Sequence, residues 1–193
     1  MADSQQDIAL YVHWPFCLSL CPYCDFNSHV RDTIDQGAWR EALLRELAHY
    51  AAQIPNRRLT SIFFGGGTPS LMPPETAAAI IKHAKSLFAA DPDIEITLEA
   101  NPTSAETLVL EAFAKAGINR LSLGIQALDD AALSALGRTH SKAEAQACIT
   151  AAHALFERFS FDLIYARPGQ TPEAWKAELT DAIAMSRGHL SAY

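Results

Sequence analysis

Cys17, Cys21 and Cys24 form a C-x3-C-x2-C triplet, Cys17-Leu18-Ser19-Leu20-Cys21-Pro22-Tyr23-Cys24, directly after an apolar run from Ile8 to His13. Thiolates gathered this closely suit an iron–sulfur cluster, whose usual protein ligands are cysteines. A cubane [4Fe–4S] cluster held by three of them keeps one iron open to another molecule, and that open iron makes the triplet a candidate for catalysis. The alternative is a structural zinc site, which is tetrahedral and closed by four ligands. Cys148 is the only other cysteine and lies far downstream in an alanine-rich helical stretch. His13 is the nearer fourth ligand, but the paired spacing of zinc modules is missing. A disulfide would leave an odd thiol inside the triplet.

Other residues with chemical potential fall at the ends of apolar runs. Phe64-Gly65-Gly66-Gly67-Thr68-Pro69-Ser70 is a glycine run that brings the backbone close to a ligand or makes a tight turn. It lacks both the last glycine of G-x-G-x-x-G and the G-K-[ST] ending of a phosphate-binding loop. Glu99, Gln126 and Asp162 are isolated polar residues at or within apolar runs. A carboxylate there is costly to bury unless it is paired. Any one of them fits an internal ion pair; together on one rim they fit a polar ligand. Arg138 is either their partner or a solvated charge. Cys148 reads as a small buried apolar residue. His49, His83 and His153 lie on helical patterns without metal-ligand partners, whereas His29 and His140 sit in loops near the candidate segments.

The elements that must position these residues alternate. Ile8–His13, Leu59–Phe64, Ile94–Ala100, Arg120–Ile125 and Phe159–Tyr165 read as strands, and a sixth begins at Leu190. Thr103 to Glu106 and Ser141 to Glu144 fit capping boxes, and Thr171-Pro172 is a further helix start. A helix begins near Pro74, with Ala77, Ile80, Ile81, Ala84, Leu87 and Phe88 as its core stripe; another stops at Gly117. Strand–helix alternation predicts an α/β fold with parallel strands and outer helices, and chemistry on the loops after the strands. The cysteine loop and the glycine run both occupy that end.

The 193 residues are 49% hydrophobic, enough for one substantial core, and the net charge of −7 argues against a nucleic-acid-gripping protein. The polar, acidic start Met1 to Asp7 is unlike a signal peptide, and no run is long and apolar enough to be a transmembrane segment. Reduced thiols point to the cytoplasm.

The motifs together resemble the radical S-adenosylmethionine enzymes of the oxygen-independent coproporphyrinogen III oxidase type. The resemblance spans almost the whole chain: Tyr11-Val12-His13-Trp14-Pro15-Phe16-Cys17, the triplet, Gly65-Gly66-Gly67-Thr68-Pro69, Glu99-Ala100-Asn101-Pro102, Leu121 to Gln126 and Asp162-Leu163-Ile164-Tyr165. It implies a partial (β/α) barrel, with Cys17, Cys21 and Cys24 ligating a [4Fe–4S] cluster and its open iron chelating S-adenosylmethionine. Gly66, Gly67 and Thr68 match the segment that recognises the methionine end. Tyr11, Tyr23, Glu99, Gln126, Arg138 and Asp162 match positions lining the cofactor site. Phe26 stands where the oxidase is expected to carry a further cysteine, so the resemblance favours the heme-chaperone (HemW-type) branch. That branch implies heme binding and delivery to respiratory apoproteins, with a reductant as a further partner. Radical decarboxylation in porphyrin biosynthesis, or a non-catalytic cluster- or heme-binding module, are the alternatives. Ala166-Arg167-Pro168-Gly169-Gln170 departs from a common Gly-Leu-Pro-Gly-Gln run. Residues 1–193 match only the amino-terminal half of the family, so the expectation is a radical core incomplete at its carboxyl end, without the family's carboxyl-terminal domain.

Overall fold

The computed structural model describes residues 6–193. Six strands form one sheet: β1 (Asp7–Trp14), β4 (Arg58–Gly66), β5 (Ala89–Ala100), β6 (Arg120–Gln126), β7 (Arg158–Leu163) and β8 (Ser191–Ala192). They lie in that order, each parallel to its neighbour. Two further strands, β2 (Phe16–Cys17) and β3 (His29–Val30), make a separate parallel pair that closes the base of the cysteine loop. The helices are α1 (Gln36–Gln53), α2 (Pro74–Leu87), α3 (Ser104–Thr107), α4 (Leu110–Ala116), α5 (Asp130–Ala135), α6 (Lys142–Leu155) and α7 (Pro172–Met185). This is half of a (β/α) barrel, with strands inside and helices outside.

Alternation along the strands separates two faces. Ile62, Phe64, Ile96, Leu98, Leu121, Leu123, Phe159 and Phe161 are buried on the helix-covered face. With Ala77, Ile80, Ile81, Ala84 and Phe113 they make one core, whose burial is the main stabilising term. The other face carries Glu95, Glu99, Ser122, Gly124 and Asp162, so the strands are polar where they line the half-barrel's hollow.

Local signals explain most element boundaries. Ser141 and Glu144 form a reciprocal capping box on α6, Thr171 caps α7 with Pro172 in its first turn, and Gly117 ends α4 at φ +106°. In the α2 stripe Leu87 is the exception, 38% exposed at the helix end. The stretch from Ser104 to Ala116 is two helices broken at Leu108–Val109, not one. β5 starts at Ala89, earlier than Ile94, because Ala89 and Ala90 pair with β4 before a bulge that holds Pro92. Proline has no N–H for a ladder, so it is tolerated there. β7 ends at Leu163, and Tyr165 lies beyond it in irregular chain.

Candidate functional site

The cysteine loop leaves the sheet at Trp14, fully buried and packed edge-on to Phe16 at 5.4 Å; Phe16 in turn meets Trp39 at 5.0 Å. These rings fix the base of the loop. The amides of Gly67 and Thr68 then donate to the carbonyls of Trp14 (2.7 Å) and Phe16 (2.8 Å), which sets the glycine run against it. Gly66 has φ +115°, a left-handed conformation that favours glycine. At Gly67 a Cβ would lie 2.7 Å from the Phe16 carbonyl oxygen and 3.0 Å from Cys17 Sγ, so no side chain fits.

One cavity of about 380 Å³ opens at the carboxyl ends of the strands. Cys17, Cys21, Cys24 and Tyr23 form its outer rim; Gly67, Thr68, Glu99, Gln126, Arg138 and Asp162 contribute the walls. Ten of the twelve candidate residues line this cavity; Tyr11 and Gly66 do not. Gly66 touches the site through its amide, which donates to Glu99 Oε2 at 3.2 Å. Tyr11 faces a second groove between β1 and α1, stacked on Phe63 at 6.1 Å, although Glu99 still acts on its phenol electrostatically.

All four cysteines are free thiols: Cys24 is exposed, Cys17 and Cys21 half-buried, and Cys148 buried in α6. Two of the rim sulfurs receive hydrogen bonds, from the Thr68 hydroxyl to Cys17 Sγ and from Arg138 Nη1 to Cys21 Sγ, each 3.5 Å. Such donors stabilise negative charge on sulfur and are found around iron–sulfur clusters. His13 is turned away: its Nε2 pairs with the Asn27 carbonyl at 2.9 Å and its ring faces the second groove. Among the described residues no three His, Cys, Asp or Glu side chains converge tightly enough to hold a single ion. The three thiols line the rim of the cavity, and cysteine thiolates are the usual ligands of iron–sulfur clusters.

Charge is distributed unevenly in the cavity. Burial pushes the Glu99 carboxyl up to about 7, helped by repulsion from Asp162 and opposed by the Gly66 amide. Asp162 is also raised by burial, against hydrogen bonding from Ser191 and the pull of Arg120 and His189. Two carboxyls whose ionisation is discouraged, with one cation opposite, suit a ligand that brings its own positive charge and its own carboxylate. His140 is buried beneath this wall; burial and Arg138 bring its imidazole down to about 4, and its Nε2 donates to the Ile125 carbonyl at 3.1 Å. His29 is exposed on β3 and lines the second groove.

Two lining residues escaped sequence reasoning. Asn101 joins Thr68 and Arg138, and Glu106 is 3% exposed with its carboxylate accepting from the Asn101 amide (2.9 Å) and the Ser70 hydroxyl. In the sequence Glu106 fits the last position of a capping box opened by Thr103. Thr103 does accept from the Glu106 amide, but the Glu106 carboxylate accepts from the Thr103 hydroxyl (3.3 Å), the Asn101 amide and the Ser70 hydroxyl and does not complete the capping box. The signal for Asn101 was its place in Glu99-Ala100-Asn101-Pro102, immediately after a strand.

The Radical SAM superfamily matches the chain over residues 11–182. The "Radical S-adenosyl methionine domain-containing protein 1, mitochondrial" of Bos taurus is 43% identical over 193 residues, covering all of this chain and 44% of that protein. The "Heme chaperone HemW" of Haemophilus influenzae is 40% identical over 192 residues, covering 96% of this chain and 50% of its own. Among solved structures, coproporphyrinogen III oxidase (HemN) from Escherichia coli superposes with a TM-score of 0.86 at 29% identity, over 97% of this chain and 44% of that one. The chain thus spans about half the length of the relatives it matches.

Proposed function

We propose, from the premise that the chain belongs to the radical S-adenosylmethionine superfamily, that it is the cofactor-binding core of a heme chaperone. The observation that carries this reading is the meeting of three free thiols, a side-chain-free glycine run and a carboxylate–arginine wall around one cavity. The residues present fit a [4Fe–4S] cluster on Cys17, Cys21 and Cys24. With the cluster and S-adenosylmethionine bound, the site would supply one-electron reductive chemistry at the sulfonium. The protein's part is to hold and orient. Gly66 and Gly67 offer backbone at close range to the methionine end, with Thr68 beside them. Glu99 and Asp162 balance positive charge, and Arg138 faces the ligand carboxylate. Gln126, at φ +70° on the end of β6, and the Tyr23 ring, 40% exposed on the rim, enclose the rest. Tyr11 acts from behind Glu99.

Heme binding and delivery to respiratory apoproteins, with a separate reductant, are the proposed role of the whole protein. They are supported by the likeness to the HemW protein and by Phe26, 61% exposed where an oxidase is expected to carry cysteine. A reducing compartment, the cytoplasm, suits four free thiols; none of the described helices is long and apolar enough to cross a membrane. The second reading, a decarboxylating oxidase, is favoured by the superposition on coproporphyrinogen III oxidase. An anaerobic assay for 5′-deoxyadenosine in the full-length protein tests both. Heme binding without sustained, reductant-dependent 5′-deoxyadenosine supports the chaperone; turnover with loss of carbon dioxide from coproporphyrinogen supports the oxidase. Cys21→Ala is expected to abolish cluster-dependent S-adenosylmethionine binding, and unchanged tight binding by a cluster-free variant would overturn the core assignment.

A further inference from the structure

The two side-chain donors that reach Cys17 and Cys21, Thr68 and Arg138, are joined through one carboxamide. Asn101 Nδ2 donates to Thr68 Oγ1 at 3.1 Å, and Asn101 Oδ1 accepts from Arg138 Nη2. A cation on one side and a hydroxyl oxygen on the other leave the amide one orientation. Thr68 Oγ1 is thereby an acceptor toward Asn101, which frees its single proton for Cys17 Sγ at 3.5 Å. Arg138 is held the same way: Nη2 also donates to the Gly124 carbonyl at 2.9 Å, which aims Nη1 at Cys21 Sγ, 3.5 Å away. The Asn101 backbone is pinned in turn by the Glu106 carboxylate, itself 3% exposed.

We propose that Asn101 is a positioning residue that directs one hydrogen bond to each of two cluster ligands, Cys17 through Thr68 and Cys21 through Arg138, and so sets the reduction potential of the cluster. The inference rests on the cluster assignment above. Asn101 touches neither sulfur; it acts through its two partners. Reduction adds negative charge to a cluster, and donors to its sulfurs favour that state. Removing them makes the cluster harder to reduce. Without the carboxamide the Thr68 hydroxyl proton is free to rotate away from Cys17, and the Arg138 guanidinium, whose N–H fork is rigid, loses one of the two acceptors that hold Nη2 and is free to turn away from Cys21.

The test is a redox titration, followed by EPR, of the anaerobically reconstituted full-length protein as wild type, Asn101→Ala, Thr68→Val and Thr68→Ser. Iron content and thermal unfolding are measured alongside. At the wild-type midpoint, the reduced-to-oxidised ratio is expected to fall about fivefold or more in Asn101→Ala and Thr68→Val, the loss of roughly one charge-assisted hydrogen bond. Thr68→Ser keeps the hydroxyl and is expected to stay near the wild-type ratio, which a packing role for the Thr68 methyl would not give. Loss of the cluster from folded Asn101→Ala protein would overturn the assignment of Asn101 to the potential, since the residue would then serve to retain the cluster. Wild-type ratios in both variants at full iron content would overturn the relay. Wild-type protein that takes up no cluster would overturn the underlying assignment, and this inference with it.

Discussion

Ala166 carries φ +54°, a left-handed conformation that costs an alanine roughly 1–2 kcal/mol relative to its ordinary basins. It occupies the first position of the loop after Tyr165, where the family resemblance led us to expect glycine. Ala166→Gly should therefore stabilise the protein by about 0.5–1 kcal/mol, the relieved strain less the added freedom of the unfolded chain. Urea unfolding checks this, and an unchanged or lower midpoint would count against strain at the site. Glu99 offers a second test. Burial raises its carboxyl to about 7 in the folded protein from the ordinary 4.5, so over that range the folded state keeps a proton that the unfolded chain has released. Stability is fully present below about pH 4.5 and declines as pH rises through about 7. Glu99 is only partly buried, so the loss should be on the order of 1–2 kcal/mol. Glu99→Gln should flatten the fall between about pH 5 and pH 8; a slope identical to wild type would exclude Glu99 as its source.

Between elements, the most buried ion pair among the described residues is that of Arg167 and Glu178. The bridge measures 2.5 Å, with the side chains 11% and 9% exposed. Glu178 also accepts from the Leu128 amide at 2.8 Å and from Gln170, so one carboxylate on α7 holds the loop after β6 and the loop after β7. Glu178→Ala leaves a buried guanidinium without its partner and should cost about 3 kcal/mol or more, read by thermal unfolding. A loss under about 0.5 kcal/mol would mean that the guanidinium escapes to water. Parallel strands were legible in the sequence because short strand-like runs such as Leu59 to Phe64 and Arg120 to Ile125 alternate with helical patterns, and consecutive parallel strands need such crossovers. Helix starts at Ser141 and Thr171 were legible because caps are local. The β2–β3 pair was not, since two-residue strands have no period to read. Nor was the second task of Glu106, because a carboxylate three residues after Thr103 satisfies a local pattern whichever way it turns.

Across the whole molecule, the strand order places every site segment at the same end of the sheet: the cysteine loop after β1, the glycine run after β4, Glu99 and Asn101 on β5 and just after it, Gln126 on β6 and Asp162 on β7. That convergence was legible as topology, since parallel strands share one carboxyl end. The network of Asn101 with Thr68 and Arg138 was not, because it joins positions on three separate segments. The half-barrel leaves its polar hollow lined by Glu99, Ser122 and Asp162. The most direct measurement is EPR of the full-length protein, reconstituted anaerobically with iron and sulfide and then reduced, with and without S-adenosylmethionine. A [4Fe–4S] signal that changes when S-adenosylmethionine is added is the predicted result. A cluster signal indifferent to it, or zinc in place of a cluster, would contradict an open iron at Cys17, Cys21 and Cys24.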